Sequence, residues 1–182
     1  MPMEKNIVIG VCGSIAAYKV PSVIRKLQDR GWNVKVVMTQ SATKFVTPLT
    51  FETISKNQVY TDMFRENSKY EISHISLSDF GQILLVIPAT ANIIGKVACG
   101  IADDLLSTTI MAFSGKVIFA PAMNVKMWEN PVVQENVEKL KKLGYVFVEP
   151  ETGKLANGRI GAGRLADVDR IVKTVEEIFF AL

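Results

Sequence analysis

The sequence predicts a single α/β domain built on a doubly wound parallel sheet, and two observations carry that prediction. Short β-branched apolar runs alternate with amphipathic stretches of helical period, the pattern of a buried parallel sheet wrapped by helices with right-handed crossovers. The chain is 182 residues long and 48% hydrophobic, enough for one sizeable core without disulfides or structural metal. It shows no internal repeat, low-complexity tract or linker, so residues 1–182 are read as one domain.

The elements follow in order. Asn6–Val11 (NIVIGV) reads as a buried strand. A helix follows with Ile15, Tyr18, Val23, Ile24 and Leu27 as its apolar positions, Ser14 as its cap and Gly31 as its stop. Val34–Met38 is a second strand, and Ser41–Ser55 is helical with a break at Pro48. Ile83–Ile87, Val117–Ala120 and Tyr145–Val148 are further strands; Ala91–Cys99, Asp104–Phe113, Pro131–Leu143 and Val168–Phe180 are helices. Between Val148 and Val168 the stretch EPETGKLANGRIGAGRLAD holds four of the twelve glycines and no long apolar period. It is either a plain surface loop or a flap over a site, at about residues 150–166.

Composition removes several function classes. Twenty-one basic against eighteen acidic residues give a net charge of +3, with no basic run of five, which argues against a nucleic-acid surface. One histidine, His74, excludes multi-histidine metal centres, and Cys12 and Cys99 form neither a CxxC pair nor a disulfide framework, so no metal site is expected. No stretch suits a signal or membrane span, so a soluble, cytoplasmic protein with reduced thiols is expected.

In an open parallel sheet, ligands bind beyond the carboxyl ends of the strands. The first strand ends in a glycine turn with a hydroxyl at a helix start (Gly10–Ile15), which favours a phosphate. Met38-Thr39-Gln40-Ser41 follows the second strand and offers hydroxyls and an amide where a dinucleotide site would carry an acidic residue. Two similar turns, Pro88-Ala89-Thr90-Ala91-Asn92 and Pro121-Ala122-Met123-Asn124, close two later strands. Each sets a small residue beside an amide that both donates and accepts. All of these are equally ordinary caps and Asn-stabilised turns when taken singly. His74 lies in Glu71–Leu77, where Ile72, His74 and Ser76 share a face if the segment is extended. It is the one side chain suited to proton transfer near neutral pH.

Taken together, Gly13-Ser14-Ile15-Ala16-Ala17-Tyr18-Lys19, Ser73-His74-Ile75, Pro88–Asn92, Asp103-Asp104-Leu105, Pro121–Asn124 with Met127-Trp128, and the Gly158–Arg164 glycine segment resemble the flavin-dependent cysteine decarboxylase family. The likeness runs the whole chain and is nearest to the branch that serves coenzyme A biosynthesis. It implies a Rossmann-like domain binding FMN between subunits of a homotrimer or a dodecamer of trimers. Gly13, Ser14, Ile15, Thr39, Ser41, Thr90, Ala91, Asn92, Ser107 and Ala122 are the implied FMN contacts. His74 takes the catalytic place, Asn124 holds the substrate carboxylate, and Met127, Lys154, Leu155 and Ala156 border the substrate. Arg159, Arg164 and Lys126 are candidates for a substrate phosphate, against the simpler reading of solvated charges.

The implied reaction is FMN-dependent oxidative decarboxylation of 4′-phosphopantothenoylcysteine toward 4′-phosphopantetheine. One position departs from the pattern: Asn157 stands where the family's coenzyme A branch has a proton-donating cysteine. An amide does not supply that proton, so decarboxylation is expected with an impaired final reduction. An engineered substitution, a different proton donor, or membership of the peptidyl-cysteine branch would each account for it. Flavin prenyltransferases, the second subunit of dipicolinate synthase and phosphatase regulatory subunits are weaker resemblances. The likeness is equally compatible with a stand-alone enzyme and with a domain fused to a phosphopantothenate–cysteine ligase.

Overall fold

Strand β1 (Lys5–Val11) leads through a 3-10 turn (Ile15–Lys19) into helix α1 (Val20–Gln28) and strand β2 (Trp32–Met38). A second 3-10 turn (Ala42–Lys44), α2 (Pro48–Ser55), the short β3 (Val59–Tyr60) and α3 (Ser73–Phe80) follow. Then come β4 (Ile83–Ala89), α4 (Ala91–Ala98), α5 (Leu105–Ala112) and β5 (Lys116–Pro121). The chain continues through α6 (Val125–Trp128), α7 (Pro131–Lys142), β6 (Val146–Phe147), β7 (Glu151–Lys154), β8 (Ile160–Arg164) and α8 (Val168–Phe180). The structure is a computed structural model that describes residues 4–64, 72–154 and 160–182, the side chains of Lys154 and Ile160 excepted.

Six strands make one parallel sheet in the order β3-β2-β1-β4-β5-β6. The strand order reverses between β1 and β4, which opens a crevice at their carboxyl ends. The two-residue period of β1 divides the interior. Ile7, Ile9 and Val11 pack into a core with Val23, Ile24 and Leu27 of α1 and Ile171, Val172 and Val175 of α8. Val8 faces the opposite core, with Leu106 and Ile110 of α5, Ile93 and Ile94 of α4 and Leu140 of α7. All seven residues of β4 are buried, as a strand covered on both faces requires. The predicted doubly wound single domain is therefore the observed fold.

Two expectations need correction. Ile15 and Tyr18 are 55% and 63% exposed and join no core face. They sit on the 3-10 turn, where residues three apart eclipse on one side, and that side faces outward while Ala16 and Ala17 are buried. The segment around His74 is not extended; from Ser73 it is helix α3, which buries Ser73 and Leu77, four residues apart on one face. The short β3 and α6 were not anticipated. The glycine-rich stretch, expected as a plain surface loop or a flap, carries two strands: β7 and β8 form an antiparallel hairpin separate from the sheet. Its roots, Val148 and Leu165, are each 2% exposed.

Candidate functional site

The crevice is built from the turns that leave β1, β2, β4 and β5. Gly13 follows β1 and meets the turn after β2: a Cβ at Gly13 would lie 2.4 Å from the Ser41 Cβ, so only glycine lets the two turns touch. The Ser14 hydroxyl accepts from the Ala16 N–H at 3.4 Å and caps the 3-10 turn. Thr39 continues the β1–β2 ladder by donating its N–H to the Val11 carbonyl at 3.0 Å. Its hydroxyl accepts from the Ala42 N–H at 3.2 Å. Ser41 itself is exposed.

After β4, Thr90 caps α4 by accepting from the Ile93 N–H at 3.4 Å; Ala91 is half-buried and Asn92 exposed. Beneath these turns lies the Cys12 thiol. Burial pushes its pKa up to about 12, opposed by hydrogen bonding from Thr90 and by Lys96, and reinforced by the Asp104 charge. Cys12 thus joins the end of β1 to the cap of α4 as an inert thiol.

Asp104 caps α5 in a reciprocal box: it accepts from the Ser107 N–H at 2.9 Å while its own N–H donates to Ser107 Oγ at 3.1 Å. Ser107 is fully buried, with its hydroxyl engaged in this box. Lys96 on α4 clamps the cap, 2.6 Å from Asp103 and 2.7 Å from Asp104. Burial opposes the charge on both partners. The Lys96 ammonium and the Ser107 donors nevertheless hold the Asp104 carboxyl below the usual range, and the two carboxylates hold Lys96 above its own.

After β5, Ala122 is 4% exposed and donates its N–H to the Ala89 carbonyl at 3.1 Å, which joins the two Pro-Ala turns side by side. Asn124 caps α6; its Oδ1 accepts from the Lys126 N–H at 2.8 Å. A backbone N–H can bond only the oxygen of the amide, so the two N–H donors of Asn124 are turned away from the helix, and the residue is exposed. Met127 on α6 is 48% exposed. The β8 strand lies directly against this turn: Met123 donates its N–H to the Gly163 carbonyl at 3.0 Å.

His74 lies near the start of α3, which packs on α5 and β1. Its Nδ1 is buried and has no hydrogen-bond partner among the described residues. A buried polar atom left this way costs free energy unless a ligand or a further group completes it. Leu155, Ala156, Asn157 and Arg159 lie outside the described residues, and the Lys154 side chain with them. The structure therefore gathers Gly13, Ser14, Thr39, Ser41, Thr90, Ala91, Asn92, Ala122 and Asn124 at one end of the sheet. Sequence reasoning missed the Lys96 clamp and the seating of β8 on the Asn124 turn; spacing gives no sign of either. Among the described residues no cluster of metal-binding side chains occurs, and no helix is long and apolar enough to cross a membrane.

Fold and site define an open α/β protein with a crevice of turns rich in hydroxyls and amides at its topological switch point. The chain belongs to the flavoprotein family, whose profile (Flavoprotein) matches residues 1–180. It is 49% identical over 176 residues to the coenzyme A biosynthesis bifunctional protein CoaBC of Bacillus subtilis, covering 97% of this chain and 43% of that protein. The chain thus spans under half the length of that relative. It is 42% identical to the probable phosphopantothenoylcysteine decarboxylase of Streptococcus mutans over 96% of this chain and 99% of the other. Among solved structures, a cysteine-to-serine mutant of PPC decarboxylase complexed with pantothenoylaminoethenethiol matches with a TM-score of 0.88. The two are 28% identical, over 99% of this chain and 100% of that one. The FMN-dependent cysteine decarboxylase SpaF matches with a TM-score of 0.84 and 33% identity over 97% and 98%.

Proposed function

We propose that this protein binds FMN in the switch-point crevice and catalyses oxidative decarboxylation of 4′-phosphopantothenoylcysteine. The residues fit the cofactor. Gly13, without a side chain, lets the turns after β1 and β2 come together, and their hydroxyls and N–H groups suit a phosphate and a polyol chain. Ser14, Ile15, Thr39, Ser41 and the Thr90–Asn92 turn would hold those parts, with Ala122 against the ring. Ser107 would act from below, through the cap it shares with Asp104. When bound, FMN supplies an acceptor for hydride from the cysteinyl carbon, which creates the electron sink that decarboxylation needs.

The observation that carries the reading is the orientation of Asn124. Its outward amide donors can align a carboxylate without a fixed positive charge, which would stabilise the ionised substrate against losing CO₂. His74, with an uncommitted buried Nδ1, is the group suited to move a proton. Lys154, Leu155, Ala156, Asn157 and Met127 would border the substrate from the hairpin and α6. With asparagine at 157 the product expected is the enethiol, two hydrogens short of the saturated thiol; the flavin would be left reduced, and repeated turnover would need dioxygen or another added two-electron oxidant. The ethenethiol held by the cysteine-to-serine relative supports this reading.

The assembly would be a homotrimer, or trimers in a dodecamer, with the site between subunits. Exposed apolar side chains on both sides support that arrangement: Ile15 and Tyr18 beside the crevice, Ile72 and Ile75 flanking His74. The compartment would be the cytoplasm, and fusion to a ligase domain, as the resemblance suggests, would place the supply of substrate on one polypeptide. The deciding experiment is incubation of purified protein with 4′-phosphopantothenoylcysteine, following CO₂ and product mass. A yellow protein that releases CO₂ fits; a colourless one, or one acting only on a peptide ending in cysteine, overturns the reading.

A further inference from the structure

The carboxylate that caps α5 lies close to the turns suited to a phosphate, and one lysine balances its charge. Three contacts bring these groups together. Gly10 lets β1 press on α5: a Cβ at Gly10 would lie 2.5 Å from Leu106 Cδ1. The loop between α4 and α5 folds back on Lys96, whose carbonyl accepts the Ile101 N–H at 2.9 Å. The Lys96 ammonium, on a side chain only 19% exposed, reaches Asp103 at 2.6 Å and Asp104 at 2.7 Å. Cys12, immediately before Gly13, feels the result. Its thiol receives hydrogen bonds from Thr90, the cap of α4, and the Asp104 and Lys96 charges act on it in opposite senses. Asp104 is therefore an acidic neighbour of the turn after β1 and of the cap of α4. Among the described residues, Lys96 is the one cation paired with either carboxylate. Cap and countercharge are separable: the Ser107 N–H binds Asp104 Oδ1, whereas Lys96 binds Oδ2.

We propose that Lys96 determines which flavin the crevice takes: by neutralising Asp103 and Asp104, it lets the turns after β1 and β4 accept a phosphorylated flavin in preference to an unphosphorylated one. Lys96 acts through the two carboxylates and is a positioning residue. The inference rests on the flavin site proposed above. Without the ammonium, two negative charges stand uncompensated near the turns, and a phosphate approaching the N–H groups there is repelled. A ligand with the same ring and polyol but no phosphate meets no such opposition. Riboflavin is that ligand, so the ratio of FMN to riboflavin affinity isolates the charge on the phosphate.

The test measures both affinities by fluorescence quenching on the full chain freed of flavin. Salt is set at about 10 mM and about 1 M, where the Debye length is about 30 Å and about 3 Å. Lys96→Met keeps an apolar stem and loses the charge. It should lower FMN affinity about 10-fold or more at low salt and riboflavin affinity by no more than about two-fold. High salt should close most of that difference. Lys96→Arg should keep the wild-type ratio. Adding Asp103→Asn and Asp104→Asn to Lys96→Met should restore it, since asparagine still caps a helix. Those two changes alone, with Lys96 kept, should raise the ratio above wild type, which gives an independent test if Lys96→Met does not fold. Equal losses of both flavins in Lys96→Met overturn the proposal, as do a failure of the triple variant to rescue and an unchanged ratio in the doubly substituted chain. A wild type that binds neither flavin overturns the flavin reading itself, and the role of Lys96 with it.

Discussion

Gly13 and Ser41 meet across the ends of β1 and β2 with no room for a side chain between them: a Cβ on Gly13 would stand 2.4 Å from Ser41 Cβ and 3.0 Å from its backbone carbon. Because one contact partner is backbone, the overlap cannot be relieved by a rotamer change alone. Gly13→Ala is expected to push the two turns apart at a cost of about 1–3 kcal/mol. The same variant should lose FMN at concentrations that saturate the wild type, read as the flavin-to-protein absorbance ratio. Adding Ser41→Gly should restore part of the binding; full binding by the single variant would show that the cradle lies elsewhere.

His74 is expected to affect turnover and not flavin retention, since its uncommitted Nδ1 lies on α3 and not among the turns. His74→Asn should lower kcat by about 10²–10⁴-fold, the range of a lost acid–base group. The visible flavin spectrum should persist. Equal losses of flavin and of turnover would assign His74 a structural part.

Asn157→Cys is the complementary gain. Mass analysis of the product should shift from the enethiol to the saturated thiol, heavier by two hydrogens, and flavin should turn over repeatedly. An unaltered product would mean that protonation of the enethiol is not limited by residue 157.

The α5 cap gives a prediction for stability and pH. Asp104→Ala removes the capping box and is expected to cost about 0.5–2 kcal/mol, measured as a lower midpoint of thermal or urea unfolding. The Asp104 carboxyl titrates below its ordinary value in the fold, so its contribution is complete above about pH 4 and fades as pH falls through the folded value. The gap between wild type and variant should therefore narrow in acid. Lys96 is shifted upward, so its share is present at all pH values below the ordinary lysine range and fades only in strong alkali. A gap that stays constant down to pH 3 would count against the clamp.

Thiol titration separates the two cysteines. Cys99 is exposed and Cys12 is buried with a pKa near 12, so the native protein should react at one thiol with an aromatic disulfide at pH 8 and at both when denatured. Two fast thiols in the native state would contradict the packing beneath the first turn.

What the sequence disclosed followed physical rules that act locally. Runs such as Ile83–Ile87 declare a buried strand because nothing polar interrupts them, and Val168–Phe180 declares its helix through a capping Asp167 and a sustained apolar stripe. The strand-end turns were legible for the same reason, as each announces itself by Gly, Pro, Asn or a hydroxyl. Ile15 and Tyr18 misled because a 3-10 turn and an α-helix share the three-residue spacing but not the direction it faces. The segment at His74 is ambiguous because its short apolar spacing fits either period, and its packing on α5 is invisible in the local sequence. Lys96 with Asp104, and Gly161 with Val125, could not be read at all, since each pairing depends on the meeting of separate elements.

Val148 and Leu165 are buried in the same core, and Val148 is also tied to β5 through its N–H to the Phe119 carbonyl at 2.8 Å. Among the described residues between them, β7 and β8 pair only with each other, apart from the six-stranded sheet. If the proposed role of residue 157 holds, a lineage carrying this scaffold would exchange a reduced product for an unsaturated one by a single substitution. On the function proposed above, the division of labour would be spatial: the sheet would secure the fold and the shared first step, and residue 157 would set how the reaction ends.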